Sequence, residues 1–152
     1  MGNVYLVPAL RAAPSIVRKL VKTAGPEVFD WKTDPERFSF REAIAHLADW
    51  EPIMLERLRQ AKERPGSTLT AYNETQRARE QNYGASNPLQ KVEEWAQLRE
   101  QTVKWIETEA EGSWDSKVVH PERGDLTLYD LANILACHDT YHVDHLMSFL
   151  PG

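Results

Sequence analysis

Three histidines lie on one side of the last helical segment of this sequence, at positions where leucines would be expected. Apolar and histidine residues recur there in steps of three and four, the spacing of an inward-facing helical stripe. The stripe consists of Leu128, Leu131, Leu135, His138, His142, His145 and Phe149. Burying an imidazole without a partner costs about 1–3 kcal/mol, so three on one face need a common explanation. A bound divalent metal ion is the simplest one.

Two of these histidines have the spacing of a metal-ligand pair. His138 and His142 are four residues apart, which places their Cβ atoms about 6 Å apart on a helix and lets both rings reach one cation. Helical bundles complete such sites from a facing helix. His46 is the candidate, because it lies on the inward side of the second helical segment, between Ala43 and Trp50. The sequence therefore predicts His46, His138 and His142 as metal ligands.

A ligand set made only of imidazoles restricts the metal. Three neutral nitrogens without a carboxylate or thiolate favour zinc, nickel, iron(II) or copper, whereas magnesium and calcium prefer oxygen ligands. Three protein ligands also leave a coordination position open, as in catalytic zinc sites. The predicted site therefore suits an enzyme that acts on a small-molecule substrate.

Several side chains near the predicted ligands also receive predictions. Trp50 is placed to line the cavity beside the metal. Tyr141 either donates a hydrogen bond to a substrate oxyanion or packs in the core or an interface. Asp49, one turn after His46, either accepts a hydrogen bond from that ring or is a solvated acid. Cys137 is predicted to be a small, buried packing residue.

The helices must bring these side chains together. Helical periodicity predicts four long helices, over residues 12–24, 40–62, 88–111 and 128–150. A short helix is predicted between residues 73 and 81, and residues 118–119 are predicted to be extended. Capping signals precede the second helix (Ser39 with Glu42) and the last helix (Thr127 with Asp130). Pro14 is predicted to lie in the first turn of the first helix, and Pro52 predicts a kink in the second. Four amphipathic helices predict an all-α fold, a four-helix bundle formed by one domain over residues 1–152.

The composition excludes several classes of function. The chain has 152 residues, a net charge of −5 and a pI of about 5.5. An acidic surface without a basic cluster predicts no nucleic-acid partner, and the absence of a long apolar run predicts no membrane span. The single cysteine, Cys137, fits a reducing environment. The sequence therefore predicts a cytoplasmic protein.

Two motifs carry a resemblance to a known family. The capped segment Ser39–Glu42 is followed by the run His46–Glu51 on the second helix, and the last helix carries His138, Tyr141 and His142. In this order and on these helices, the motifs resemble the DinB/YfiT-like superfamily, which is unrelated to the DNA polymerase that shares the name. The resemblance covers nearly the whole chain.

The resemblance implies a four-helix bundle that binds a divalent cation, zinc or nickel first and iron next, through His46, His138 and His142. It also implies a homodimer, and some members are thiol S-transferases or isomerases that use low-molecular-weight thiols. One position departs from the family pattern, because His145 stands where a glutamine is common. His145 is a fourth ligand, a base that hydrogen-bonds the metal-bound water, or an imidazole bonded to the main chain or to a dimer partner.

Three functional hypotheses follow. The first is a metal-dependent enzyme of the thiol S-transferase or hydrolase type. The alternative is a non-catalytic, stress-associated protein in which the metal fastens two helices together. The third is a helical interaction module without a metal.

Overall fold

Residues 2–152, which the computed structural model describes, form five α-helices and a short two-stranded sheet. The helices are α1 (Leu6–Ala24), α2 (Phe40–Glu63), α3 (Glu74–Glu80), α4 (Pro88–Glu109) and α5 (Leu128–Met147). Strands β1 (Lys117–His120) and β2 (Gly124–Thr127) lie between α4 and α5 in the sequence, and 3₁₀ turns occupy Pro26–Val28 and Tyr83–Ala85. Among these residues, no helix has the length and apolarity needed to cross a membrane.

The four long helices pack as a four-helix bundle, which confirms the predicted fold. Helices α1 and α2 each pack against both α4 and α5, so α1 and α2 are diagonal partners. The core consists of two apolar clusters, one around Leu58, Val103 and Leu131 and one around Phe40 and Trp95. This arrangement places α2 directly beside α5, the helix that carries the three-histidine stripe.

The helix starts predicted from capping signals are confirmed. The main-chain N–H of Ser39 donates to the Glu42 carboxylate at 2.8 Å, and the N–H of Glu42 donates to the Ser39 hydroxyl at 3.3 Å. Thr127 and Asp130 form the same reciprocal pair at 2.8 and 3.0 Å. These two boxes satisfy amides that would otherwise lack partners, and they fix where α2 and α5 begin. Pro52 lies inside α2, and the kink expected there stays a prediction.

Helix α1 begins six residues earlier than the sequence predicts, so Pro14 lies inside it instead of in its first turn. Leu6 and Leu10 are buried, and their contacts with the core extend the helix beyond its local signal. Pro14 has no N–H to donate to the carbonyl of Leu10, the residue four positions before it. Arg99 supplies the missing donor, since its Nη1 donates to that carbonyl at 2.8 Å.

The segment after α4 forms a β-hairpin, of which the sequence predicted only an extended piece. Strands β1 and β2 pair antiparallel with Val118 opposite Leu126, and Gly124 adopts φ +75° where the chain turns back. Val119 also bonds the chain after α2, because its N–H donates to the carbonyl of Ser67 at 2.9 Å. The second strand, Gly124–Thr127, has no run of alternating apolar residues, so the sequence offered no pattern from which to predict the hairpin.

The prediction that Cys137 is buried is wrong, because the side chain is exposed. Cys137 belongs to the outward face of α5, together with Thr140, Tyr141 and Asp144, which are also exposed. The apolar residues of α5 face α1 and α2, so a position about 100° away from His138 lies outside that contact.

Candidate metal centre

The structure brings His46 of α2 together with His138 and His142 of α5. The Nε2 atom of His138 lies 3.0 Å from Nε2 of His46 and 3.2 Å from Nε2 of His142. One nitrogen from each of the three residues lies within 4.8 Å of the other two. The i, i+4 pair on one helix and the single residue on its neighbour therefore converge at one point.

This arrangement fits a metal ion better than it fits hydrogen bonding alone. A neutral imidazole has one donor and one acceptor nitrogen. A single N–H···N hydrogen bond can therefore join two of the three rings, but the nitrogen of the third ring is left facing the lone pair of another nitrogen. Nitrogens bonded to a single tetrahedral zinc at 2.0–2.1 Å are about 3.3 Å apart, close to the two observed separations. The donor set therefore suits a borderline divalent cation.

Burial keeps all three rings in the neutral form that can ligate a metal. It lowers the pKa of His46 to about 3, with further lowering from His138 and Arg77. It lowers the pKa of His138 to about 4, where Arg99 also lowers it, and that of His142 to about 2, where the other two rings add to the effect. At neutral pH no proton needs to be displaced before an ion can bind.

Aromatic rings surround the cluster. The Trp50 ring lies 5.4 Å from His46 and 6.4 Å from His138, between ring centroids. Phe38 lies 5.2 Å from His46, and Tyr141 meets His142 edge-on at 5.1 Å. These rings keep much of the solvent away, which strengthens electrostatic interactions inside the site.

A buried charge network that was not predicted from the sequence fastens α2 and α5 to α4. The Arg99 guanidinium donates to the Glu51 carboxylate at 2.8 and 2.7 Å and to the Asp139 carboxylate at 2.5 and 2.9 Å. Burial lowers the pKa of Arg99, but the two carboxylates outweigh it and raise the pKa overall. Glu51 is on α2 and Asp139 directly follows His138 on α5. The network therefore holds both helices in register close to the cluster.

The sequence contained a signal for this network. Arg99 lies seven residues after Val92 and seven before Ile106, so it occupies a core position of the α4 stripe. An arginine there is almost never buried without a charged partner, and the search for that partner leads to the acidic residues on the facing helices.

Neither alternative given for Asp49 is correct, because it is neither an acceptor for His46 nor a solvated acid: its side chain is 17% exposed and paired. Arg77 of α3 donates to Asp49 through Nε at 2.5 Å and Nη2 at 2.9 Å, and the Tyr83 hydroxyl donates to it at 2.6 Å. A full positive charge in bidentate geometry binds a carboxylate more strongly than a neutral imidazole N–H does. Among the described residues, Nδ1 of His46 has no hydrogen-bond partner, and the same holds for Nδ1 of His142.

Several cavities include His138 in their walls, and two of them also include Trp50 or His142. One has a volume of about 140 Å³ and is lined by Trp50 together with Arg57 and Tyr72. The other has a volume of about 190 Å³ and is lined by His142, His145 and Tyr141, among other residues. The cluster is thus accessible to small molecules, and Trp50 lines a cavity as the sequence predicted.

His145 and Tyr141 both line the second cavity but differ in exposure. His145 is 2% exposed, its Nε2 has no partner among the described residues, and burial lowers its pKa. It does not belong to the group of convergent nitrogens formed by the other three histidines. Tyr141 is 57% exposed, and the Arg37 guanidinium lies 5.0 Å from its ring centroid. Both side chains are available to a molecule in that cavity.

Comparison with known proteins agrees with the fold and with the resemblance noted in the sequence. A family profile described as the DinB superfamily matches residues 9–146. The solved structure of YfiT from Bacillus subtilis, described as a probable metal-dependent hydrolase with an unusual four-helix bundle topology, superposes with a TM-score of 0.87. The two chains are 15% identical, and the match covers 95% of this chain and 83% of that one. No curated protein matches the sequence.

Proposed function

Since the chain belongs to the DinB superfamily, we propose that it is a divalent-metal-dependent enzyme whose ion is held by His46, His138 and His142. The observation that carries this proposal is the convergence of three buried imidazole nitrogens, with Nε2 separations of 3.0 and 3.2 Å, beside two cavities. A purely structural site would be closed by a fourth protein ligand. Zinc or nickel is the proposed ion, with iron next.

The residues around the cluster have separate tasks in this proposal. When bound, a divalent cation on three imidazoles lowers the pKa of a water or thiol and so supplies a nucleophile near neutral pH. His145 would accept the proton released from that nucleophile, because it lines the same cavity as His142 and its buried Nε2 has no partner among the described residues. Tyr141 would donate a hydrogen bond from its hydroxyl to a developing oxyanion, and Trp50 would hold the apolar part of the substrate.

Two reaction classes are proposed. Hydrolysis is supported by the description of the similar YfiT structure as a probable metal-dependent hydrolase. Transfer to a low-molecular-weight thiol is supported by the two cavities that share His138, because such a transfer brings two organic molecules to one centre. In both classes the bound ion would supply the nucleophile by lowering the pKa of water or of a thiol.

The test compares metal-free, zinc-loaded and nickel-loaded protein in two assays. One measures hydrolysis of p-nitrophenyl acetate and of a set of small amides, and the other measures conjugation of bacillithiol, mycothiol or glutathione to 1-chloro-2,4-dinitrobenzene. We expect a metal-dependent rate in one assay, abolished in His142→Ala and preserved in Thr140→Ala. Thr140 is the matched control because it lies on α5 between the two ligands but is exposed.

Two results would contradict the proposal. Stoichiometric metal binding without any metal-dependent rate would favour the non-catalytic alternative, in which the ion links α2 and α5. Failure to bind zinc or nickel would remove the metal centre itself.

A further inference from the structure

Arg57 of α2 is a buried cation without a carboxylate partner. Its side chain is 9% exposed, and no ion pair joins it to a carboxylate within residues 2–152. Its Nη2 donates to the main-chain carbonyl of Thr70 at 3.0 Å, and Nη1 makes a weak contact with the sulfur of Met54 at 4.0 Å. Its Nε is buried and has no partner. A guanidinium has five N–H donors, so most of this one is unused.

Arg99, the other deeply buried arginine, differs from Arg57 because carboxylates balance its positive charge. Arg99 binds two carboxylates and a main-chain carbonyl, whereas Arg57 has one carbonyl and two aromatic rings. The ring centroids of Trp50 and Tyr72 lie 5.3 and 5.8 Å from its guanidinium carbon, and such contacts are weaker than a charged hydrogen bond. Burial lowers the pKa of Arg57, but an arginine stays protonated at neutral pH. An uncompensated buried charge is costly, so the position calls for an anion from outside the chain.

Arg57 lines the same cavity as Trp50 and His138. A volume of about 140 Å³ is close to that of a protein cavity that holds benzene. The cavity wall also includes His120, whose Nδ1 accepts the main-chain N–H of Glu122 at 3.2 Å. The proton of the neutral His120 ring is therefore on Nε2, which makes His120 a second N–H donor at this cavity.

The remaining charged groups of the cavity are exposed. Glu74, Glu122 and Arg123 contribute to its wall, and all three are solvent-exposed. Water screens charges at such positions. Arg57 is the buried charge of the cavity and decides the sign of what binds there.

We propose that Arg57 is an anion subsite that binds the carboxylate of a small, partly aromatic or apolar substrate, with His120 as a second donor. The planar guanidinium matches a carboxylate in bidentate geometry, and Trp50 and Tyr72 form apolar walls. Because His138 closes the same cavity, the opposite end of a molecule held at Arg57 reaches the three-histidine cluster. This inference rests on the proposed function for its role in the reaction, and Arg57 would act there as a substrate-positioning residue.

The experiment titrates benzoate into the full-length protein from which metal and chelator have both been removed, with calorimetry and tryptophan fluorescence as readouts. Benzamide is the matched neutral ligand. We expect benzoate to bind at least about tenfold more tightly than benzamide, and Arg57→Gln to weaken benzoate by a similar factor, as expected for a charged hydrogen bond worth 1.5–3 kcal/mol. Arg59→Gln is the control, because Arg59 is on the same helix but exposed, and it should bind benzoate normally.

Equal binding of benzoate and benzamide would overturn the proposal, and so would unchanged benzoate affinity in a folded Arg57→Gln or no benzoate binding at millimolar concentration. If Arg57→Gln does not fold, the proposal is tested instead by benzoate binding to Arg57→Lys and by the benzoate–benzamide comparison in the unaltered protein. The metal-free protein keeps the two claims separate. A failed metal assay would contradict the proposed function alone, and a failed benzoate titration would contradict the subsite alone.

Discussion

At the scale of single residues, desolvation sets the charge state of the cluster. His46, His138 and His142 are held neutral by burial, with pKa values lowered to about 3, 4 and 2. The same histidines in the unfolded chain have a pKa of about 6.5. Between these values the unfolded chain binds more protons than the folded one, so folding is weakened as the pH falls.

We therefore predict that the metal-free protein loses stability between about pH 6.5 and 4, by up to about 1.4 kcal/mol per pH unit for each of the three rings. Urea unfolding at a series of pH values measures this slope. His46→Gln removes one titrating ring and should give a shallower slope than the unaltered protein. A slope that is the same in both proteins would contradict this account of the cluster.

His145 is predicted to serve the reaction without holding the metal. It lies in the second cavity but outside the convergent nitrogens. His145→Gln should therefore bind one ion per chain with unchanged affinity while the metal-dependent rate falls, and Tyr141→Phe should behave in the same way. A loss of metal affinity in His145→Gln as large as that in His142→Ala would instead make His145 a fourth ligand.

Single residues also show where the sequence was a good guide. The histidine trio could be predicted because its helical spacing and its unusual polarity are local facts about the chain. The partner of Asp49 could not be predicted. Arg77 lies on the short helix α3, and no sequence pattern specifies where α3 lies relative to α2. Arg57 was missed for a similar reason, since its burial depends on Tyr72 and Thr70 in the segment that crosses over α2.

At the scale of the helices, the site depends on keeping α2 and α5 in register. Arg99 joins Glu51 of α2, Asp139 of α5 and the Leu10 carbonyl of α1. One side chain on α4 thus bonds to the other three long helices of the bundle. Because Asp139 is adjacent to His138, any movement of this network also moves one of the three clustered histidines.

We predict that Arg99→Met lowers the free energy of unfolding by about 3–5 kcal/mol, because it leaves two buried carboxylates without their positively charged partner. Arg18→Met is the control. It removes a pair with Glu93 that is exposed enough to be worth about 0–1 kcal/mol. Urea unfolding of the three proteins tests this, and an equal loss in both variants would show that the buried network does not stabilise the fold.

The helix boundaries show the limit of local signals. The two capping boxes specify their helix starts with four residues each, and both were predicted correctly. The start of α1 was not predicted correctly. Leu6 and Leu10 are helical because they pack against other helices, and Pro8 between them is a helix-breaking signal in the sequence. The hairpin was missed because its second strand, Gly124–Thr127, has no run of alternating apolar residues.

At the scale of the whole molecule, the proposed ion would link two helices that are far apart in the sequence. The ligands come from α2 and α5, so the site exists only when the bundle is folded. An ion that binds only the folded state stabilises it by about 2.7 kcal/mol at a concentration one hundred times its dissociation constant. Association into a homodimer, which the family resemblance implies, stays a prediction that sedimentation can test.

We predict that saturating zinc or nickel raises the midpoint of thermal unfolding by about 5–10 °C in a bundle of this size, and that chelation reverses the shift. The His142→Ala variant should show no shift, because a pair of remaining imidazoles on different helices binds too weakly. A shift of equal size in the variant would mean that the ion binds elsewhere on the chain.

The most direct test of the metal centre is X-ray absorption spectroscopy of the zinc-loaded protein, combined with elemental analysis. The account predicts one ion per chain with three imidazole nitrogens at about 2.0–2.1 Å, and loss of one of these nitrogens in His46→Ala. A protein that retains no zinc, or one whose zinc has a shell of oxygens alone, would contradict the central claim that the three histidines form a metal centre.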